Sequence, residues 1–84
     1  MLRDYSVVEV HTDFDGEISG GDYIADVELD VESLEPEAHV KQELALCGVL
    51  IPESYSVVAD FDLGRVEVYN NKGAIVYMLN KESL

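Results

Sequence analysis

Tyr23-Ile24-Ala25-Asp26-Val27-Glu28-Leu29-Asp30-Val31 is the stretch on which the fold turns. Tyr23, Ala25, Val27, Leu29 and Val31 fall on one side of an extended chain, and Ile24, Asp26, Glu28 and Asp30 on the other. A period of two, apolar against acidic, is the pattern of a strand with one dry face and one wet face. The segment cannot sit alone, because its apolar side needs a second layer.

Working outward, Tyr5 to Val10 is a weaker strand upstream, joined to the first by a connection rich in Asp and Gly from His11 to Asp22. Downstream, Pro36 to Cys47 reads as a helix. Pro36 suits a first turn, Glu35 and Glu37 suit the positive end of the helix dipole, and Gly48 suits the C-terminal cap. Val40, Leu44 and Cys47 recur at helical spacing and are expected to face the sheet. Tyr55 to Phe61 alternates again, and Asp62-Leu63-Gly64 turns into a strand from Arg65 to Tyr69. Asn70-Asn71-Lys72-Gly73 is a hairpin signal leading into a last strand, Ala74 to Leu79. Tyr69 and Tyr77 read most simply as edge packing, with a shared patch on the outer face of that hairpin as the alternative.

The expected architecture is therefore α+β in a single domain, residues 1–84. It has the order β-β-α-β-β-β: a four- or five-stranded antiparallel sheet with one helix packed on a face. An 84-residue chain has room for one modest core. Its 48% hydrophobic content separates it from charge-driven disordered tails. One cysteine, Cys47, excludes an intramolecular disulfide, and its helical register marks it as a small core residue. The N-terminus turns polar at once, and no run has the roughly 18 apolar residues of a membrane span. A soluble cytoplasmic protein is expected.

Charge is distributed unevenly. Twelve acids and no lysine or arginine lie between Asp4 and Glu37, whereas the rest of the chain holds six acids against five bases. The net charge of −13 and pI near 4.1 disfavour direct contact with nucleic acid or an anionic membrane, both of which need clustered cations. Along the strand, Asp26, Glu28 and Asp30 recur about every 6.6 Å on one face. Glu32, Glu35 and Glu37 extend the run, and Asp13, Asp15, Glu17 and Asp22 precede it. Together they are expected to form one anionic ridge. Spacing of that order on a rigid support is comparable to the phosphate series of a nucleic acid. Such a ridge would occupy a basic groove and exclude its ligand.

In size and charge the chain resembles small acidic proteins of phages and mobile elements, including some anti-CRISPR and anti-restriction proteins. The likeness is one of composition and rests on no motif. It implies an inhibitor acting in a host cytoplasm on a basic nucleic-acid-handling protein. The competing expectation is a protein–protein interaction module whose acidic face is merely solvated.

A third expectation comes from His11-Thr12-Asp13-Phe14-Asp15-Gly16-Glu17-Ile18-Ser19-Gly20-Gly21-Asp22, which is similar to an EF-hand loop. Asp13, Asp15, Ser19 and Asp22 stand at ligand positions and Gly16 at the sharp turn, so the resemblance implies calcium binding. His11 replaces the usual opening Asp and Asp22 the usual closing Glu, and a strand precedes the loop where an EF-hand has a helix.

His11, His39 and Cys47 lack zinc spacing, and no third group orients a Cys–His pair. His39 is expected to be exposed or partly packed. Carboxylates on a wet strand face do not sit in the enclosed cleft that separates an acid from a base. The expectation is a binding protein, not an enzyme, with no cofactor. A homodimer through the edge of the last strand is a further expectation.

Overall fold

A computed structural model describes residues 1–82. Its elements are β1 (Leu2–Thr12), β2 (Ile18–Asp30), α1 (Pro36–Leu46), β3 (Ser56–Asp60), β4 (Arg65–Tyr69) and β5 (Ile75–Lys81). The five strands form one antiparallel sheet in the order β2-β1-β5-β4-β3. Fold class and element order follow the expectation from sequence. The position of the last strand does not. β5 pairs with both β1 and β4, so it lies inside the sheet and offers no edge for a homodimer. The free edges are β2 and β3.

Parity and register divide the sheet into two faces. Tyr5 and Val7 of β1, Val27 and Leu29 of β2, Val57 of β3, Val66 and Val68 of β4 and Leu79 of β5 are buried with Val40 and Leu44 of the helix. This inner face is the core. Helix α1 packs against β2 and β3, the two outermost strands, and no other strand comes within 8 Å of it between Cα atoms. The sheet is therefore bowed: its margins rise toward the helix, and larger side chains such as Tyr5 and Leu79 fill the depth over the middle strands. The opposite, convex face has no second layer among the described residues.

The helix begins on Pro36 and ends in a Schellman motif. Val49 N–H donates to Leu44 O at 2.8 Å and Gly48 N–H to Ala45 O at 3.0 Å, with Gly48 at φ 87°. Cys47 falls at the C-cap, beyond the last helical turn, and is exposed. The expectation that it joins the core is corrected. The position lies past the helix end at the margin of β2, where Sγ is 3.5 Å from Asp26 O.

Both strands of the first hairpin are longer than their sequence suggests. Gly20, Gly21 and Asp22 resemble a loop but pair as strand with His11, Val10 and Glu9. Gly21 is there because a Cβ would stand 2.7 Å from Val8 Cγ1, too close to fit unless something shifts.

Two bulges alter the expected faces. Val7 opposes Ala25 but Val8 opposes Tyr23, leaving Ile24 as the extra residue. Past that bulge the parity of β2 reverses. Tyr23 therefore sits on the convex face with Val8, not on the dry face with Val27 and Leu29. A second irregularity lies between Val68 and Tyr69. It leaves Tyr77 opposite core Val68 and Tyr69 opposite Ile75, so the two tyrosines point to opposite faces and form no common patch.

Candidate functional site: the convex face

Reading the register across the convex face gives successive rows. At one end Glu28 opposes Asp4, and Glu82 is tied beside them by its N–H to Asp4 O at 2.9 Å. The next row runs Asp26, Ser6, Asn80, Arg65 and Asp60. The third runs Tyr23, Val8, Met78, Glu67 and Val58. Beyond it, Tyr69 and Ile75 face Ile18 of the first hairpin across an open groove. One end of the face is acidic, and the other carries apolar side chains.

The acidic corner is built from two strands and the segment that follows β5. Asp4 comes from β1, Asp26 and Glu28 from β2, and Glu82 follows β5. Around the free margin of β2, Glu43 of the helix and Cys47 at its C-cap join Asp4, Asp26 and Glu28 in lining a shallow hollow of about 280 Å³. The directly opposed pair Asp4 and Glu28 is a like-charge cross-strand pair, an arrangement that destabilises a sheet. Asp26 is held below the usual carboxylate range, first by hydrogen bonding from Tyr23 and then from Glu82. Glu82 is pushed up, chiefly by its hydrogen bond to Asp26, then by desolvation and by the charges of Asp26 and Asp4. The two carboxyls thus shift one another in opposite directions. Tyr23 is raised in turn by Asp26.

Asp30 stands at the end of this row and is partly neutralised. Its Oδ1 accepts the Met1 ammonium at 3.0 Å and Glu32 N–H at 3.0 Å, and Glu32 Oε2 lies 3.5 Å from the same ammonium. The Glu32 N–H first, then the ammonium, holds the Asp30 carboxyl below its ordinary range. Its backbone N–H donates to Nε2 of partly buried His39 at 2.7 Å.

The single anionic ridge is not what folds. Glu35 and Glu37 sit at the start of the helix, in a groove toward β3 that also holds Lys41, whose Nζ is 3.6 Å from Glu37. Asp22, past the bulge, faces the inner side with Glu9 and His11. Asp13, Asp15 and Glu17 occupy the hairpin tip. That tip is separated from Asp30 by the length of β2, whose 13 residues at about 3.3 Å each match the 39 Å long axis. The acids of the expected ridge therefore fall into separate groups, of which Asp26, Glu28 and Asp30 alone share the convex corner. Asp4, Glu43 and Glu82 complete that corner and were not picked out from sequence. Strand pairing brings Asp4 and Glu82 there. Alternation along β1 was the one available signal for Asp4.

The stretch resembling an EF-hand loop is a β-hairpin. Asp13 N–H donates to Glu17 O at 2.9 Å, Gly16 N–H donates to Asp13 O at 3.1 Å, and Gly16 has φ 80°. Asp13 Oδ1 accepts the N–H groups of Asp15 (2.9 Å) and Glu17 (3.0 Å). This is a type I turn closed by a glycine bulge. Asn70-Asn71-Lys72-Gly73-Ala74 repeats it bond for bond, with Asn70 Oδ1 accepting from Lys72 and Ala74. Asp22 Oδ2 is 2.7 Å from His11 Nε2, and Ser19 Oγ donates to His11 O at 3.3 Å. The oxygens expected to converge on calcium are thus spread along a ribbon flanked by strands. No group of three or more His, Cys, Asp or Glu among the described residues is placed to hold a metal ion. The Asp22 hydrogen bond raises His11 above its ordinary pKa; desolvation opposes it, and the charges of Asp22 and then Glu9 add to the rise.

No helix among the described residues is long and apolar enough to cross a membrane. The chain matches no family model, no curated protein and no solved structure.

Proposed function

We propose that this chain is a binding protein that competes with nucleic acid for a basic groove on a nucleic-acid-handling protein. The contact would be made through the convex corner formed by Asp4, Asp26, Glu28 and Glu82, with Asp30 and Glu43 at its margin. The observation that carries the proposal is the direct opposition of Asp4 and Glu28, with Asp26 on the same strand face and Glu82 tied to Asp4 beside them. A fold that gathers repelling carboxylates on an uncovered, rigid sheet bears a stability cost that a cationic partner would relieve. Phosphates of a nucleic acid present the same kind of closely spaced negative charge to the same groove. Blocking needs no turnover, and action in the cytoplasm belongs to the same reading.

The test is capture from a cell lysate at low and high salt. The wild-type chain is expected to retain a nucleic-acid-binding protein at low salt and release it at high salt. The variant Asp26→Lys/Glu28→Lys is expected to retain none. Equal capture by both chains would discard the corner as the contact and leave a generic interaction module with a solvated acidic face.

A further inference from the structure

We infer that the groove at the other end of the convex face, between the tips of the two Asx-closed hairpins, receives an apolar side chain of a partner protein segment that carries lysine or arginine on either side. The groove is open and holds about 590 Å³. Ile18 from the first hairpin and Ile75, Met78 and Tyr69 from the second give it an apolar lining, with Glu17 and Glu67 among its walls and no Lys or Arg.

Three features favour this occupant. Ile18 is 56% exposed, although a strand residue facing a tyrosine and a methionine is placed to be covered. Both walls are preorganised, since Asp13 and Asn70 each accept two backbone N–H groups within their own turn. A site fixed before binding loses less on ordering. The charge of the lining is acidic as well: Glu17 and Glu67 make no ion pair among the described residues, Glu67 accepts the Tyr69 hydroxyl at 3.0 Å, and Arg65, whose charge reaches Tyr69, stays outside the lining. Carboxylates at an apolar slot repel phosphate and attract ammonium or guanidinium, which selects a basic polypeptide over a nucleic acid. The inference does not rest on the acidic corner, which lies at the opposite end of the face.

The experiment is a two-dimensional NMR titration of the full chain with a short lysine peptide bearing a central leucine. The same peptide with serine in place of leucine is the control. Saturable shifts at the amides of Ile18, Tyr69, Ile75 and Met78 with the leucine peptide alone are expected. They should be lost in Ile18→Ser and weakened in Glu67→Gln. Equal shifts with both peptides, shifts confined to Asp4, Asp26 and Glu28, or no shifts would each overturn the inference. The second of those results would leave the corner reading standing. Concentration-dependent shifts at the groove without peptide would assign it to a second copy of the chain and would also overturn it.

Discussion

The backbone N–H of Asp30 donates to Nε2 of His39 at 2.7 Å, so a helix side chain satisfies a group on the free margin of β2. Cys47, two turns further on, sits in the same way against Asp26 O. An edge strand presents unpaired donors and acceptors that invite another strand, and α1 meets part of that demand from within the chain. The margin of β2 is thereby closed to strand addition at these positions, while the convex face beside it stays open.

Removing the His39 acceptor leaves a partly buried N–H without its partner. His39→Ala is expected to cost about 1–3 kcal/mol, read from urea denaturation. Faster hydrogen exchange at the Asp30 amide should accompany it. Unchanged stability and exchange would show that water replaces the imidazole at no cost.

Tyr5 is fully buried, its ring meets Phe61 edge-on at 6.3 Å between centroids, and its hydroxyl has no hydrogen-bond partner among the described residues. Tyr5→Phe keeps the packing and removes a polar group that burial penalises. Stability is expected to hold or to rise by about 1 kcal/mol. Leu44→Ala opens a cavity at the centre of the helix contact and is expected to lose about 2–5 kcal/mol. A marked loss in Tyr5→Phe would reveal a partner for the hydroxyl.

Fold and site were legible in the sequence to different depths, and bulges and strand pairing explain the gap. Alternation in Val27 to Asp30 placed the acids and the core correctly, because no insertion interrupts the pairing there. The same alternation misplaced Tyr23, since nothing in Tyr23-Ile24-Ala25 marks Ile24 as a bulge. Asn70 to Gly73 reads as a hairpin, whereas Asp13 to Gly16, its structural twin, reads only as part of an acidic connection between strands, with a likeness to a calcium loop beside it. Asx, two residues and glycine is the shared signature, and the strand before Asp13 already argues against an EF-hand. The partners of Asp26 were illegible because Glu82 reaches it only through β5 pairing beside β1.

His11 should titrate above the ordinary histidine range, and Asp22→Asn should bring it back down. The sign follows from a folded pKa above the unfolded one. Stabilisation by the pair is complete below the unfolded value near 6.5 and is lost as pH rises through the raised folded value. Imidazole resonances followed by NMR against pH check both points, and a wild-type midpoint at or below the ordinary value would contradict them.

Glu82 has a raised folded pKa, so its effect on stability is most favourable below the ordinary carboxyl range and is lost as pH rises through the raised value. Glu82→Gln should therefore raise the neutral-pH melting temperature, and the gain should shrink on acidification. A gain that persists unchanged at low pH would mean that Asp26 and Glu82 do not interact.

The most direct test of the central claim is competition by duplex DNA for the captured partner, measured over a range of salt concentrations. The account predicts that DNA displaces the chain, that its affinity falls steeply as salt rises, and that Asp26→Lys/Glu28→Lys abolishes binding. Simultaneous binding of DNA and chain, or an affinity indifferent to salt and to the charge reversal, would contradict it.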